Sequence, residues 1–180
     1  FSAAYSSVVY SGASSGAFKS DGTLYMWGYN TAGMLGTLQI STSYNSSPAL
    51  IGANADWEGK SSPVLVNQYN GWGSSSFTIV NAGRSAVAAI RSGGTLFTWG
   101  RNTYGQLGNS STVVPSSPVQ IGSSSWTLVN PGYEFMNGIL SNGKIYAWGL
   151  TNNGRLGTTT GTISSPVLIQ GVGSSSWTAL

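Results

Sequence analysis

Apolar residues in this chain fall in short runs, separated by stretches rich in Gly, Ser, Asn and Thr. Leu24-Tyr25-Met26-Trp27 is one such run, and Leu96-Phe97-Thr98-Trp99 and Ile145-Tyr146-Ala147-Trp148 are two more. In a strand, Leu24 and Met26 point one way while Tyr25 and Trp27 point the other. Both faces are then apolar, as expected where sheets stack face to face. A turn signal precedes each run: Asp21-Gly22, Gly93-Gly94 and Asn142-Gly143. Such pairs accept positive φ and predict two-residue type I′ hairpin turns. Around the third turn, 135–140 and 144–148 read as the arms of a hairpin. The segments 126–129 and 166–169 can supply two further strands, giving a four-stranded antiparallel unit.

The unit repeats. GTLYMWGYNTAGMLG at 22–36, GTLFTWGRNTYGQLG at 94–108 and GKIYAWGLTNNGRLG at 143–157 share the pattern G-x-[LI]-[YF]-x-W-G-x4-G-x-L-G. Between them lie GSSSFTIV at 73–80, GSSSWTLV at 122–129 and GSSSWTAL at 173–180, and Ser-Ser-Pro at 46–48, 61–63, 116–118 and 164–166. Phe77 stands as far from Trp99 as Trp126 does from Trp148, and one period separates Trp99 from Trp148. Trp27 lies further from Trp99, and the excess falls in 49–72, which reads as a loop insertion carrying a second Ser-Ser-Pro and Trp57. The expected organisation is a first blade over about 1–73 with the insertion at 49–72. A second follows over about 74–122, a third over about 123–173, and 174–180 would start a further blade. Fixed-period repetition of four short strands is the mark of a β-propeller.

The three W-G-x4-G-x-L-G segments, with the Ser-Ser-Pro-Val pieces after them, resemble the RCC1 family of seven-bladed propellers. The resemblance covers nearly the whole chain. It implies an all-β fold of RCC1-type blades, about three of them in an incomplete ring. More blades in a longer polypeptide are the favoured way to close it, and neighbouring subunits the other. The chain departs from the family at Gly83-Arg84-Ser85 and Gly132-Tyr133-Glu134, where those repeats often carry a His. No partner contact of the eukaryotic exchange factor is carried over.

Composition narrows the chemistry. Charged residues are only 6% of the chain, far below the usual quarter. The net charge is +3, but Lys19, Lys60, Arg84, Arg91, Arg101, Lys144 and Arg155 are scattered. No basic run marks a nucleic-acid partner. No apolar stretch is long enough for a transmembrane helix, so membrane insertion is not expected. With no Cys and no His, disulfides, a His-based triad and the common zinc sites are ruled out. No phosphate-binding G-x-x-x-x-G-K-[ST] occurs. The acids are Asp21, Asp56, Glu58 and Glu134. Asp21 is a turn residue. Asp56 and Glu58 flank Trp57 as a solvated pair with some capacity for a cation or sugar, and Glu134 stands alone. The expectation is therefore no enzyme, no metal and no cofactor.

Trp27, Trp99 and Trp148 recur with the repeat and read as core. Trp57, Tyr69 and Trp72 in the insertion, and Tyr104 in a blade loop, stand outside the repeat. Aromatics beside Asn and Ser suit sugar or protein contacts, so these four are the candidate partner-binding residues. Covering the insertion's own small core is the alternative for the first three. Asn45-Ser46-Ser47 and Asn109-Ser110-Ser111 are glycosylation sequons in expected surface loops.

A Ser/Gly/Thr-rich, low-charge, His-free chain also resembles in style the RCC1-like repeats of phage structural proteins. The resulting expectation is a non-enzymatic structural or adhesive module on a virion or extracellular surface, such as an appendage or decoration protein. Its partners would be other subunits of an assembly, or a host surface glycan or receptor. An intracellular RCC1-type regulator binding a protein is the alternative, and a propeller lectin a weaker one.

Overall fold

The computed structural model describes residues 5–11, 14–19, 24–28, 33–35, 43–44, 58–65, 77–115, 118–157, 161–169 and 177–180. These residues are all-β apart from one 3-10 turn at Asn152–Gly154. No helix among them is long and apolar enough to cross a membrane.

Three sheets follow one another along the chain. The first joins β1 (Tyr5–Ser11), β2 (Ser14–Lys19), β3 (Leu24–Gly28), β4 (Ser43–Tyr44) and β5 (Glu58–Leu65) in the order β1-β2-β3-β5-β4. The second holds β6 (Phe77–Ala82), β7 (Ala86–Arg91), β8 (Leu96–Gly100) and β9 (Val119–Gln120) in sequence order. The third holds β10 (Trp126–Pro131), β11 (Phe135–Leu140), β12 (Ile145–Leu150) and β13 (Thr162–Leu168), likewise in order. Between sheets the backbone comes closest where β6 meets β1 and where β10 meets β6 and β7. The first strand of each sheet is thus the inner one, and the sheets fan outward from it as blades do.

Stacking of the blades buries the residues that the alternation marks. Leu24 and Met26 of β3 join Met34, Leu35, Val87, Ala89, Phe97 and Trp99 in one cluster between the first and second sheets. The other face of the second sheet supplies Ala86, Ala88, Ile90 and Leu96. These pack on Trp126, Val129, Met136 and Trp148 of the third sheet. All five residues of β8 are buried, because this sheet is covered on both sides. In β3, by contrast, Tyr25 and Trp27 are only half-buried, since no sheet among the described residues covers that face. The Trp27 side chain is therefore less deeply buried than Trp99 and Trp148, which are 1% and 0% exposed.

Two details differ from the sequence expectation. The hairpins of the second and third blades close with three-residue loops, not two, while Asp21-Gly22 lies outside the described residues. Arg91 N donates to Thr95 O and Gly94 N to Arg91 O; Leu140 N donates to Lys144 O and Gly143 N to Leu140 O. Ser92 and Ser141 thus join the turns. Within the 141–143 turn only Gly143 has positive φ, and the Asn142 side chain accepts from Lys144 N instead. A turn of ordinary hand followed by one left-handed residue also matches the strand twist. The second difference lies in the first blade. The 49–72 stretch read as a loop contains β5, whose Val64 and Leu65 pair with Met26 and Tyr25. The second Ser-Ser-Pro is part of this strand, as Ser164-Ser165-Pro166 is part of β13. Pro166 is tolerated because β13 is the edge strand of its sheet, and β4 pairs with β5 at Glu58 and Gly59 rather than at Pro63.

Candidate interaction surface

The recurring tryptophans do more than fill the core. Trp99 Nε1 donates to the Met34 carbonyl across the first interface at 2.9 Å, and Trp148 Nε1 donates to the Gln106 carbonyl across the second at 2.9 Å. Met34 and Gln106 occupy the same position of the G-x-L-G segment. The Trp of the second blade and that of the third therefore each latch onto the preceding blade's loop. Gly108 follows in that loop, and a Cβ there would come within 2.7 Å of the Trp148 indole nitrogen. Only glycine lets the loop approach the ring this closely. The Gly after each Trp is equally constrained. Gly28, Gly100 and Gly149 have φ of 112°, 107° and 106°. The pairing register also shifts between Met26 and Gly28 and between Ala147 and Gly149, the sign of a bulge that bends the strand end.

Asn102 organises the loop after β8. Fully buried, it donates from Nδ2 to Asn109 Oδ1, the Ser111 carbonyl and the Val113 carbonyl at 3.1, 3.0 and 2.8 Å, and its Oδ1 accepts from Leu107 N. Thr151 holds the same repeat position in the third blade and spans a shorter loop, donating to the Gly161 carbonyl at 2.7 Å.

Tyr104 sits in the Asn102 loop, half-buried, with its backbone N–H donating to Gln106 Oε1 at 2.9 Å. That loop leans on β13: Ser110 N donates to the Ser164 carbonyl, and the hydroxyls of Ser110 and Ser165 lie 2.8 Å apart. Tyr104 is thus placed at the outer rim between the second and third blades. Trp57, Tyr69 and Trp72 lie outside the described residues, as does Asn45. Asn109 is half-buried and accepts from Asn102.

What the structure brings together was not singled out from the sequence. The β6–β7 and β10–β11 loops stack side by side at one end of the blades. The Arg84 guanidinium lies over the Tyr133 ring, 4.2 Å from its centroid, and Ser85 Oγ donates to the Tyr133 carbonyl at 3.3 Å. Arg84 is exposed and Tyr133 is 48% exposed. Arg101 follows β8 at the same end, its backbone N–H on the Ser85 carbonyl at 2.7 Å and its Nε on Thr103 Oγ1. Arg155 approaches the Phe135 ring at 5.9 Å, next to Glu134. A signal for this cluster was present: Arg84 and Tyr133 each follow the Gly of the same repeat position. Equivalent loops of consecutive blades are neighbours in space.

At the opposite end lies an open groove of about 540 Å³, lined by Thr127, Leu128, Leu140, Asn142, Trp177 and Thr178 among others. Trp177 N donates to the Gly143 carbonyl just as Trp126 N donates to that of Gly94. Among the described residues no group of His, Cys, Asp or Glu could hold a metal ion.

The family model of the Regulator of chromosome condensation (RCC1) repeat matches residues 93–135 and 142–179, and a second model of the same repeat matches 77–106. Together they account for just over half of the chain. The chain belongs to the RCC1 repeat family.

Solved structures agree on the fold of these RCC1 repeats. Prp20p from Saccharomyces cerevisiae, described with its binding properties to Gsp1p and histones, superposes with a TM-score of 0.76 at 16% identity. The match covers 93% of this chain and 39% of that one. Yeast RCC1 (Prp20) with Kap60 bound gives 0.74 at 15% identity, covering 93% and 37%. Human WBSCR16 gives 0.69 at 16% identity, covering 93% and 38%. The chain spans less than two-fifths of the length of these proteins. A comparison with curated protein sequences finds no match.

Proposed function

We propose that these RCC1 repeats form a non-catalytic protein-binding module, working in a structural or adhesive assembly on a particle or cell surface. The observation that carries the binding reading is the pair of stacked loops that present Arg84 and Tyr133 to solvent at one end of the blades. Arginine and tyrosine are the residue types that most often anchor protein interfaces. In support, the similar fold of Prp20p is described with proteins bound or binding to it: Gsp1p, histones and Kap60.

The surface location rests on composition. A chain with 6% charged residues and a surface of Ser, Gly, Thr and Asn has little charge repulsion to keep it soluble in a crowded interior. An assembly outside the cell, a virion appendage among them, suits it better. The likeness to Prp20p favours the second reading, an intracellular regulator of a protein partner.

Location separates the two. Antibodies to the chain, applied to intact particles and cells of the native source, should label the outer surface. Recovery only from the intracellular soluble fraction would overturn the surface reading in favour of the regulator.

A further inference from the structure

The end of the second and third blades that carries Arg84 also gathers most of their cationic charge. Arg84, Arg101 and Arg155 stand there against a single carboxylate, Glu134. A chain of contacts links them into one patch. Arg84 covers Tyr133, Ser85 joins Tyr133 to the backbone of Arg101, Leu150 N donates to the Glu134 carbonyl, and Arg155 lies by Phe135. Among the described residues none of the three guanidiniums pairs with a carboxylate. Arg84 faces a ring, Arg101 Nε a threonine hydroxyl, and Arg155 Nε the Asn152 carbonyl. In a chain with so few charges, three unneutralised arginines at one end are a concentrated feature.

We infer that this face binds an acidic segment of a protein partner, with carboxylates seated on Arg84, Arg101 and Arg155 and an apolar or aromatic neighbour on Tyr133. The inference rests on the protein-binding reading above and supplies the partner's chemistry. Each guanidinium offers a planar fork that matches a carboxylate in a two-bond contact. Stacking on Tyr133 holds Arg84 flat and leaves its edge N–H groups free to donate. A nucleic acid fits less well. Three arginines without a basic run are few for a phosphate backbone, and Glu134 within the patch would repel it. In a protein partner, the same Glu134 can accept from a lysine or a backbone amide.

The probe is a fluorescein-labelled peptide of alternating Asp, Glu, Gly and Tyr, titrated with the intact protein at low and at physiological salt and read by fluorescence anisotropy. The expected result is saturable binding that weakens as salt rises. R84Q should weaken it about tenfold, the scale of one lost charge-assisted contact. R84K should weaken it several-fold despite keeping the charge, because an ammonium lacks the fork. R101Q and R155Q should act in the same direction, and K144Q at the opposite end should change nothing. All are solvent-facing changes, and unaltered thermal melting verifies each fold. No saturable binding, or binding equally reduced by K144Q, would overturn the inference. So would an oligo-dT strand that binds more tightly than the peptide through the same arginines. None of these outcomes bears on where the protein resides, so the surface reading stands or falls separately.

Discussion

The two buried tryptophans of the third blade offer a controlled comparison. Trp126 and Trp148 meet edge to face with centroids 5.6 Å apart, and both are almost fully buried. Trp148 Nε1 donates to the Gln106 carbonyl, whereas Trp126 Nε1 is buried with no hydrogen-bond partner. Replacing either by Phe removes the same part of an indole, leaving a similar cavity that costs on the order of 1 kcal/mol. The two then diverge. W148F strands a buried carbonyl, which adds about 1–3 kcal/mol. W126F removes a buried donor that had nothing to bond, and this offsets part of its cavity cost. W148F should therefore cost about 2–4 kcal/mol and W126F about 1 kcal/mol or less. Phe77 already fills the Trp126 position in the second blade, which shows that a phenyl ring fits there. Urea unfolding followed by far-UV circular dichroism reads the difference. Equal losses, or a larger one for W126F, would show that ring packing rather than the latch sets the stability of the interface.

Three further outcomes follow from the same geometry. G149A should destabilise strongly, by about 3 kcal/mol or more, since its Cβ would fall 2.5 Å from the Glu134 carbonyl at a φ of 106°. G154A, also at positive φ but in open space, should cost only about 1 kcal/mol, and thermal melts of the pair test this. N102D should cost more than N102A, because it aims a carboxylate at the Ser111 and Val113 carbonyls that now accept from Nδ2; urea midpoints that rank the other way would refute it. G108A should loosen the second interface, so that limited proteolysis cuts first in the 101–113 loop. Unchanged protection there would mean that the Trp148 ring shifts freely.

Sequence and structure divide the credit along a physical line. The period of the chain determined the class of fold, because a four-stranded unit whose inner strands are apolar on both faces has no stable partner but another copy. The alternation in 24–27 likewise marked the residues that meet the next blade, and the recurrence of Trp99 and Trp148 marked the core. Turn length was misread, since Asp-Gly and Asn-Gly pairs serve two- and three-residue loops alike, and only the strand register shows that Ser141 belongs to the loop. The strand that pairs with β3 in the first blade was hidden in 49–72, because the duplicated Ser-Ser-Pro left two segments eligible and pairing with β3 chose between them. Of the binding candidates, Tyr104 was chosen for standing outside the repeat, yet its loop is packed along β13. Arg84 and Tyr133 lie 49 positions apart in the chain and touch only because consecutive blades set equivalent loops side by side. What a repeat contains is local and written in each copy. What its copies present together depends on how the blades stack, and that is decided by tertiary packing.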